Sequence, residues 1–249
     1  MNNEIISLAK QFRLGVLSSG KYEITEGMSA SECLLDVLRE ECKLREQRAA
    51  HERLKLACFP TFKDFEHFDT DFQKGISDKE LEQLSKLEWI DALYNVILIG
   101  PPGTGKTHIA LAIGNKAVRE GGCKVAFHTM DNLVHVLKTQ EISRKSKARI
   151  NYLNKCDLII IDELGYLPVS QIEANLFFSF ISQLYEKTSV VITSNKGFSG
   201  WADIFGDSIL VTALLDRLTH RCQVIQMSGN GYRVANRKQI FKQDATQAD

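Results

Sequence analysis

Gly100-Pro101-Pro102-Gly103-Thr104-Gly105-Lys106-Thr107 has the form G-x-x-x-x-G-K-[ST]. The apolar run 96–99 precedes it, and Ile109-Ala110-Leu111-Ala112-Ile113 follows with the composition of a helix. A strand before and a helix after are the context in which this pattern is a phosphate-binding loop. Its glycines let backbone N–H groups turn inward around an anion. The helix that starts here aims its positive end at the same point. Lys106 is expected between the β- and γ-phosphates, and the Thr107 hydroxyl on Mg²⁺.

Outward from the loop, apolar runs recur at 124–128, 157–161, 189–193 and 223–227, with helical patterns at 106–120, 131–153 and 171–186. Short continuous apolar strands alternating with helices predict an α/β fold, a parallel sheet covered on both faces. The stretch Leu158-Ile159-Ile160-Ile161-Asp162-Glu163 is an apolar strand ending in two carboxylates. In one array with the phosphate loop it reads as the other half of a nucleotide site. Asp162 is expected to hold Mg²⁺ beside the phosphates. Glu163 is expected to polarise an attacking water, which points to hydrolysis rather than transfer to a small acceptor. The strand at 189–193 runs into Thr193-Ser194-Asn195, and Asn195 is the candidate for orienting that water. Ala213-Leu214-Leu215-Asp216-Arg217-Leu218 offers an arginine on a helix. Given to a neighbouring subunit, Arg217 would stabilise the charge of phosphoryl transfer. Arg221 and Arg233 are weaker alternatives.

Upstream, residues 3–14 carry a short helix-like pattern. Ser29-x-x-Glu32 is a capping box opening a long helix to about Leu56, with Leu34, Leu35, Leu38 and Cys42 on one side. Its second half is basic. Arg45, Arg48 and Arg53 offer contacts to nucleic-acid phosphates or to a neighbouring subunit, or form a solvated face. Phe59, Phe62, Phe65, Phe68 and Phe72 then recur every third or fourth residue. This stripe reads as the packing of a docked linker, with one ring flanking adenine as the alternative. A second capping box, Ser77-x-x-Glu80, precedes the first core strand. The expected organisation is a helical domain at 1–58, a linker at 59–75 and a nucleotide-binding domain at 76–249. Arg144, Lys145, Lys147 and Arg149 form a further basic cluster between a helix at 131–141 and the strand at 157–161. Phosphate contacts from such a cluster would be indifferent to sequence and weakened by salt.

Composition sets the outer bounds. Lys+Arg and Asp+Glu are equal at 31 each, so any nucleic-acid surface must come from segregated charge. The six cysteines form no C-x-x-C pair and read as free thiols. No apolar run approaches the ~18 residues that suggest a membrane span. The start Met1-Asn2-Asn3-Glu4 lacks the basic opening and apolar core of a signal peptide. A cytoplasmic protein with no membrane partner is expected.

Gly-Pro-Pro-Gly-Thr-Gly-Lys-Thr-His at 100–108, Leu-Ile-Ile-Ile-Asp-Glu-Leu-Gly-Tyr at 158–166, Thr-Ser-Asn at 193–195, Gly206-Asp207 and Leu215-Asp216-Arg217-Leu218 occur in that order. This combination resembles the IstB/DnaC family of AAA+ ATPases, over roughly residues 30–235. The resemblance implies a P-loop AAA+ domain behind a small all-helical one, with ATP and Mg²⁺ as cofactors. It makes Gly100, Pro101, Pro102, Gly103, Thr104, Gly105, Lys106, Thr107 and His108 the nucleotide-binding segment. Thr107 and Asp162 become the metal residues, and Glu163, Asn195 and Arg217 the catalytic ones. Arg233 is the nearest match to the family's second sensor. The stretch after 223–227 is short for a helical lid, which implies a reduced or absent one. The resemblance further implies a helper of transposition that forms a homo-oligomer with ATP on double-stranded DNA, without sequence preference. Its partner would be the transposase encoded by the same element. A replicative helicase loader of the DnaC type is the alternative within the family.

Overall fold

The computed structural model describes residues 3–23, 27–70 and 75–229. The chain divides into two compact units, one ending at Lys55 and the other starting at Leu56. The first is helical, with α1 (Asn3–Gln11), α2 (Gly15–Ser18) and most of α3 (Ala30–Ala57). α3 begins at the expected capping box: Ser29 Oγ accepts the Glu32 N–H, and the Glu32 carboxylate accepts the Ser29 N–H. Leu34, Leu35 and Leu38 are exposed, whereas Val37 and Glu41 are buried. Glu41 explains the choice. Its carboxylate accepts the Val16 N–H at 3.0 Å and the Arg45 Nε–H at 2.8 Å. That ties α2 to the Val37–Glu41 side of the helix and leaves the leucines outside.

The second unit opens with α4 (Asp78–Ser85), held by the Ser77/Glu80 capping box, and α5 (Glu88–Asp91). Strands and helices then alternate: β1 (Asn95–Ile99), α6 (Lys106–Arg119), β2 (Val125–Thr129), α7 (Met130–Thr139), α8 (Arg144–Leu153), β3 (Leu158–Leu164), α9 (Gln171–Leu184), β4 (Ser189–Ser194), α10 (Trp201–Phe205), α11 (Ser208–Thr219) and β5 (Cys222–Gln226). The five strands are parallel, in the order β2-β3-β4-β1-β5. Ile97, Leu98, Ile159, Ile160, Val191 and Ile192 are fully buried, as strands covered on both faces require. β1 lies between β4 and β5, so its C-terminal end is a topological switch point, where open α/β sheets form a crevice. The loop 100–105 leaves from that end.

The pattern at 131–153 is two helices rather than one. α7 stops at Thr139, and Ser143 Oγ accepts the Ser146 N–H to cap α8. A serine cap competes locally with helix continuation, and the basic cluster lies on the second helix, α8.

The aromatic stripe lies along α6. The Phe59 ring faces Gly114, where an added Cβ would come within 2.8 Å of Phe59 and 2.7 Å of Ile160. Asn115 Nδ2 donates to the Lys63 carbonyl at 3.1 Å. Phe68 is buried and meets the His108 ring edge-on, with centroids 5.4 Å apart. Phe62 stacks with the Arg119 guanidinium. Phe72 and Arg233 lie outside the described residues, as does the chain after 229 on which the lid expectation falls. No described helix is long and apolar enough to cross a membrane.

Candidate nucleotide site

The loop after β1 closes around its own lysine. Gly103 and Gly105 have φ of 84° and 91°, values that glycine adopts without a Cβ penalty. Gly105 caps α6, so the first turn of that helix begins at Lys106. Lys106 is 9% exposed, and its Nζ donates to the carbonyls of Gly100 at 2.7 Å and Pro101 at 2.8 Å. Thr104 Oγ1 donates to the same Pro101 carbonyl. A buried ammonium held by loop carbonyls, next to a helix N-terminus, is suited to receive phosphate oxygens.

Across the crevice, Asp162 is 4% exposed. Thr107 Oγ1 donates to its Oδ1 at 2.9 Å and approaches Oδ2 at 3.2 Å. The Thr193 hydroxyl also donates to Oδ1. A carboxylate taken out of water needs donors or a cation to offset its charge. Here the donors are neutral hydroxyls, and the all-oxygen set of Thr107 and Asp162 is of the kind Mg²⁺ accepts, with phosphates and water completing the shell. The residues therefore fit the ion. Among the described residues no cluster of three or more His, Cys, Asp or Glu could hold a metal by itself.

Glu163 follows Asp162 in a left-handed conformation, φ 63°, where β3 and β4 lose register between Ile161 and Leu164. Its N–H donates to Thr193 Oγ1 at 3.0 Å, and its side chain is exposed. A non-glycine residue held this way stores about 1–3 kcal/mol of strain, a feature that concentrates at functional sites. Asn195 is exposed just past β4 and borders Gly165, in the loop that follows Glu163. Thr193 was not singled out by sequence. The available signal was a hydroxyl near the end of the strand beside β3, legible only once the strand order is known.

The His108 side chain turns to the aromatic segment: its Nε2–H donates to the Asp64 carbonyl at 2.8 Å, and burial lowers the pKa of the ring. Arg217 is not brought to the loop of its own chain. Its Nη1 donates to the Ala213 carbonyl, and its guanidinium lies 4.7 Å from the Phe178 ring centroid. The neighbouring Leu218 carbonyl accepts from Asn95 Nδ2, at the start of β1. The five residues of β1 separate that point from the loop, roughly 16 Å at strand rise.

The basic candidates divide. Arg45 pairs with Glu41, and Arg53 pairs with Glu46 at 18% side-chain exposure. Arg48 packs against Gly15. Arg149 turns inward on α8: Nε donates to His128 Nε2 at 2.8 Å, and Nη1 donates to the Leu56 carbonyl. Burial, with the Arg149 charge beside it, pushes the His128 pKa down to about 4. Arg144, Lys145 and Lys147 remain exposed in the opening turns of α8. Cations there oppose the helix dipole, and an anion would relieve that conflict.

Compared with known proteins, residues 11–240 match the family described as IstB-like ATP binding protein. The ATP-binding protein of insertion sequence IS21 from Pseudomonas aeruginosa is 41% identical over 207 residues, covering 83% of this chain and 78% of that protein. An IS21-like ATP-binding protein of Bacteroides fragilis is 35% identical over 219 residues, 88% of this chain and 83% of that one. Among solved structures, DnaI superposes with a TM-score of 0.55 at 16% identity, over 67% of this chain and 91% of DnaI. AMPPCP-bound DnaA from Aquifex aeolicus gives 0.53 at 20% identity over 68% of this chain, which spans about half (51%) of the DnaA chain. At such identities the likeness is one of fold, a P-loop AAA+ sheet.

Proposed function

The chain belongs to the IstB-like ATP-binding proteins, and from that premise we propose that it hydrolyses ATP and uses the cycle to assemble on duplex DNA as a helper of transposition. The observation that carries the hydrolysis reading is Glu163: an exposed carboxylate in a strained backbone, one residue from a buried Asp162 that is bonded to Thr107.

In this reading Lys106 and the N–H groups of the loop bind the phosphates and fix the γ-phosphoryl at the end of β1. Thr107 and Asp162 would hold Mg²⁺, which would supply charge neutralisation for phosphoryl transfer. The Glu163 carboxylate accepts a hydrogen bond from the attacking water, and Asn195 helps orient that water. Arg217 acts on the nucleotide of a neighbouring copy, which is supported by its distance from the loop of its own chain. Arg144, Lys145 and Lys147 contact DNA phosphates without reading bases. The transposase partner is supported by relatives that bear the names of insertion sequences.

The test is ATP hydrolysis without DNA, with duplex and with single strands, for wild type and Glu163→Gln. Duplex should stimulate the wild type, and added salt should remove the stimulation. Glu163→Gln should still bind ATP but turn over at least about a hundredfold more slowly, the scale of a lost general base. A response to single strands alone would favour a helicase loader. No response to either DNA would overturn assembly on DNA.

A further inference from the structure

Thr193 is the fifth residue of β4, 1% exposed, and it bonds to both acidic residues at the end of β3. Its hydroxyl hydrogen goes to Asp162 Oδ1, and its oxygen accepts the Glu163 N–H. A threonine hydroxyl has one proton to give, so the two roles are distinct and both are filled. The bonds meet where β3 and β4 lose register and Glu163 takes its positive φ. Such a conformation persists only where its surroundings over-determine it. The Glu163 N–H, displaced from the regular ladder, has Thr193 as its acceptor. On Asp162, Thr107 and Thr193 both converge on Oδ1, while Oδ2 has, among the described residues, the longer 3.2 Å approach of Thr107.

We propose that Thr193 is the positioning residue of the hydrolytic centre. Its hydroxyl orients the Asp162 carboxylate that would hold the magnesium ion, and it holds the Glu163 backbone in the turn that leaves the carboxylate of that residue exposed. The proposal rests on the hydrolysis reading above. Valine at this position keeps the branched shape and strand preference of threonine but neither gives nor accepts a hydrogen bond. Serine keeps the hydroxyl and loses the methyl.

Thr193→Val, Thr193→Ser, Glu163→Gln and wild type, each as the full chain, are compared in three measurements. These are binding of a fluorescent ATP analogue in EDTA, a Mg²⁺ titration of that binding, and steady-state hydrolysis. Thr193→Val should bind nucleotide in EDTA like wild type but need about tenfold more Mg²⁺, and its kcat should fall at least about tenfold with KM within about threefold, the scale of a lost hydrogen bond to a charged group. Thr193→Ser should recover both to within about threefold of wild type. Thr193→Ala is a second hydroxyl-free variant, read the same way should the valine protein not fold. A wild-type Mg²⁺ midpoint and kcat in the hydroxyl-free variants overturns the proposal. So does a serine variant as impaired as the valine one, which would assign the effect to the methyl. Should wild type turn over no faster than Glu163→Gln, the hydrolysis reading fails, and the Mg²⁺ titration of binding still decides whether Thr193 orients Asp162.

Discussion

Glu163 sits where glycine would be more comfortable. An L-residue in the left-handed region gives up about 1–2 kcal/mol relative to its usual conformation, and φ at this position is 63°. Glycine would release that strain but gain freedom in the unfolded chain, an offset of about 0.4–1 kcal/mol. Glu163→Gly should therefore leave stability unchanged or raise it by up to about 1 kcal/mol while abolishing hydrolysis. Urea denaturation beside an ATPase assay checks this, and a loss of more than about 1 kcal/mol would mean that the side chain serves the fold. That Thr107 and Asp162 meet is legible in the sequence because each lies within a contiguous motif whose geometry is set by its own stretch of chain. Thr193 was passed over for Asn195 because which residue of β4 faces Asp162 depends on a register shift in β3 that no local pattern announces. The direction of the His108 ring is not legible for a related reason: it is set by the Asp64 carbonyl, 44 positions upstream.

Among the elements, α6 couples the loop to the aromatic segment. It carries Lys106 and Thr107 in its first turn, then His108, Gly114, Asn115 and Arg119 toward residues 59–68. Gly114→Ala would place a methyl 2.7 Å from Ile160 Cδ1 and 2.8 Å from the Phe59 ring. Overpacking of this kind costs about 1–3 kcal/mol, and chemical denaturation should show a loss in that range. The contact between β2 and α8 gives a pH dependence instead. His128 is 7% exposed and titrates near 4 in the fold, against about 6.5 in an unfolded chain. Above about 6.5 it is neutral in both states and its contribution to stability is complete. As pH falls from there toward 4, the unfolded chain takes up a proton that the fold refuses, so stability drops by up to about 1.4 kcal/mol per unit from this residue. Denaturation at pH 7.5, 5.5 and 4.5 should show a shallower decline for His128→Gln than for wild type, carboxylates common to both proteins cancelling in the comparison. Strand positions were readable from apolar runs bounded by polar residues. That α8 is a separate helix was not, because Ser143 opens its periodicity with neither glycine nor proline to mark it. Which side of α3 is buried is not legible, because it is decided by the tie between Glu41 and Val16, a contact across 25 residues.

At the scale of the whole molecule, one chain does not bring its catalytic candidates together. Lys106, Asp162 and Glu163 lie where the strands end, while Arg217 lies beside the start of β1, folded onto Phe178. Helix α11 and the buried core hold it there, with Leu214 and Leu218 buried on either side of it in sequence. Swinging the side chain off Phe178 cannot close a gap of roughly 16 Å along β1. If Arg217 serves hydrolysis, it must serve another copy, and this has a consequence that pure single-chain catalysis does not share. Lys106→Ala protein has an intact arginine and a disabled loop; Arg217→Ala protein has the reverse. Each alone should be nearly inactive, since an arginine supplied in trans is worth about a thousandfold or more. Mixed in equal amounts on duplex DNA, a competent site forms wherever an intact loop meets an intact arginine, so activity should return to about a quarter of wild type for random neighbours. Hydrolysis of the mixture, titrated against the ratio of the two proteins, should be highest near equality. A mixture no more active than its components would confine Arg217 to its contact with Phe178, and the neighbouring copy would then have to supply some other cation or none.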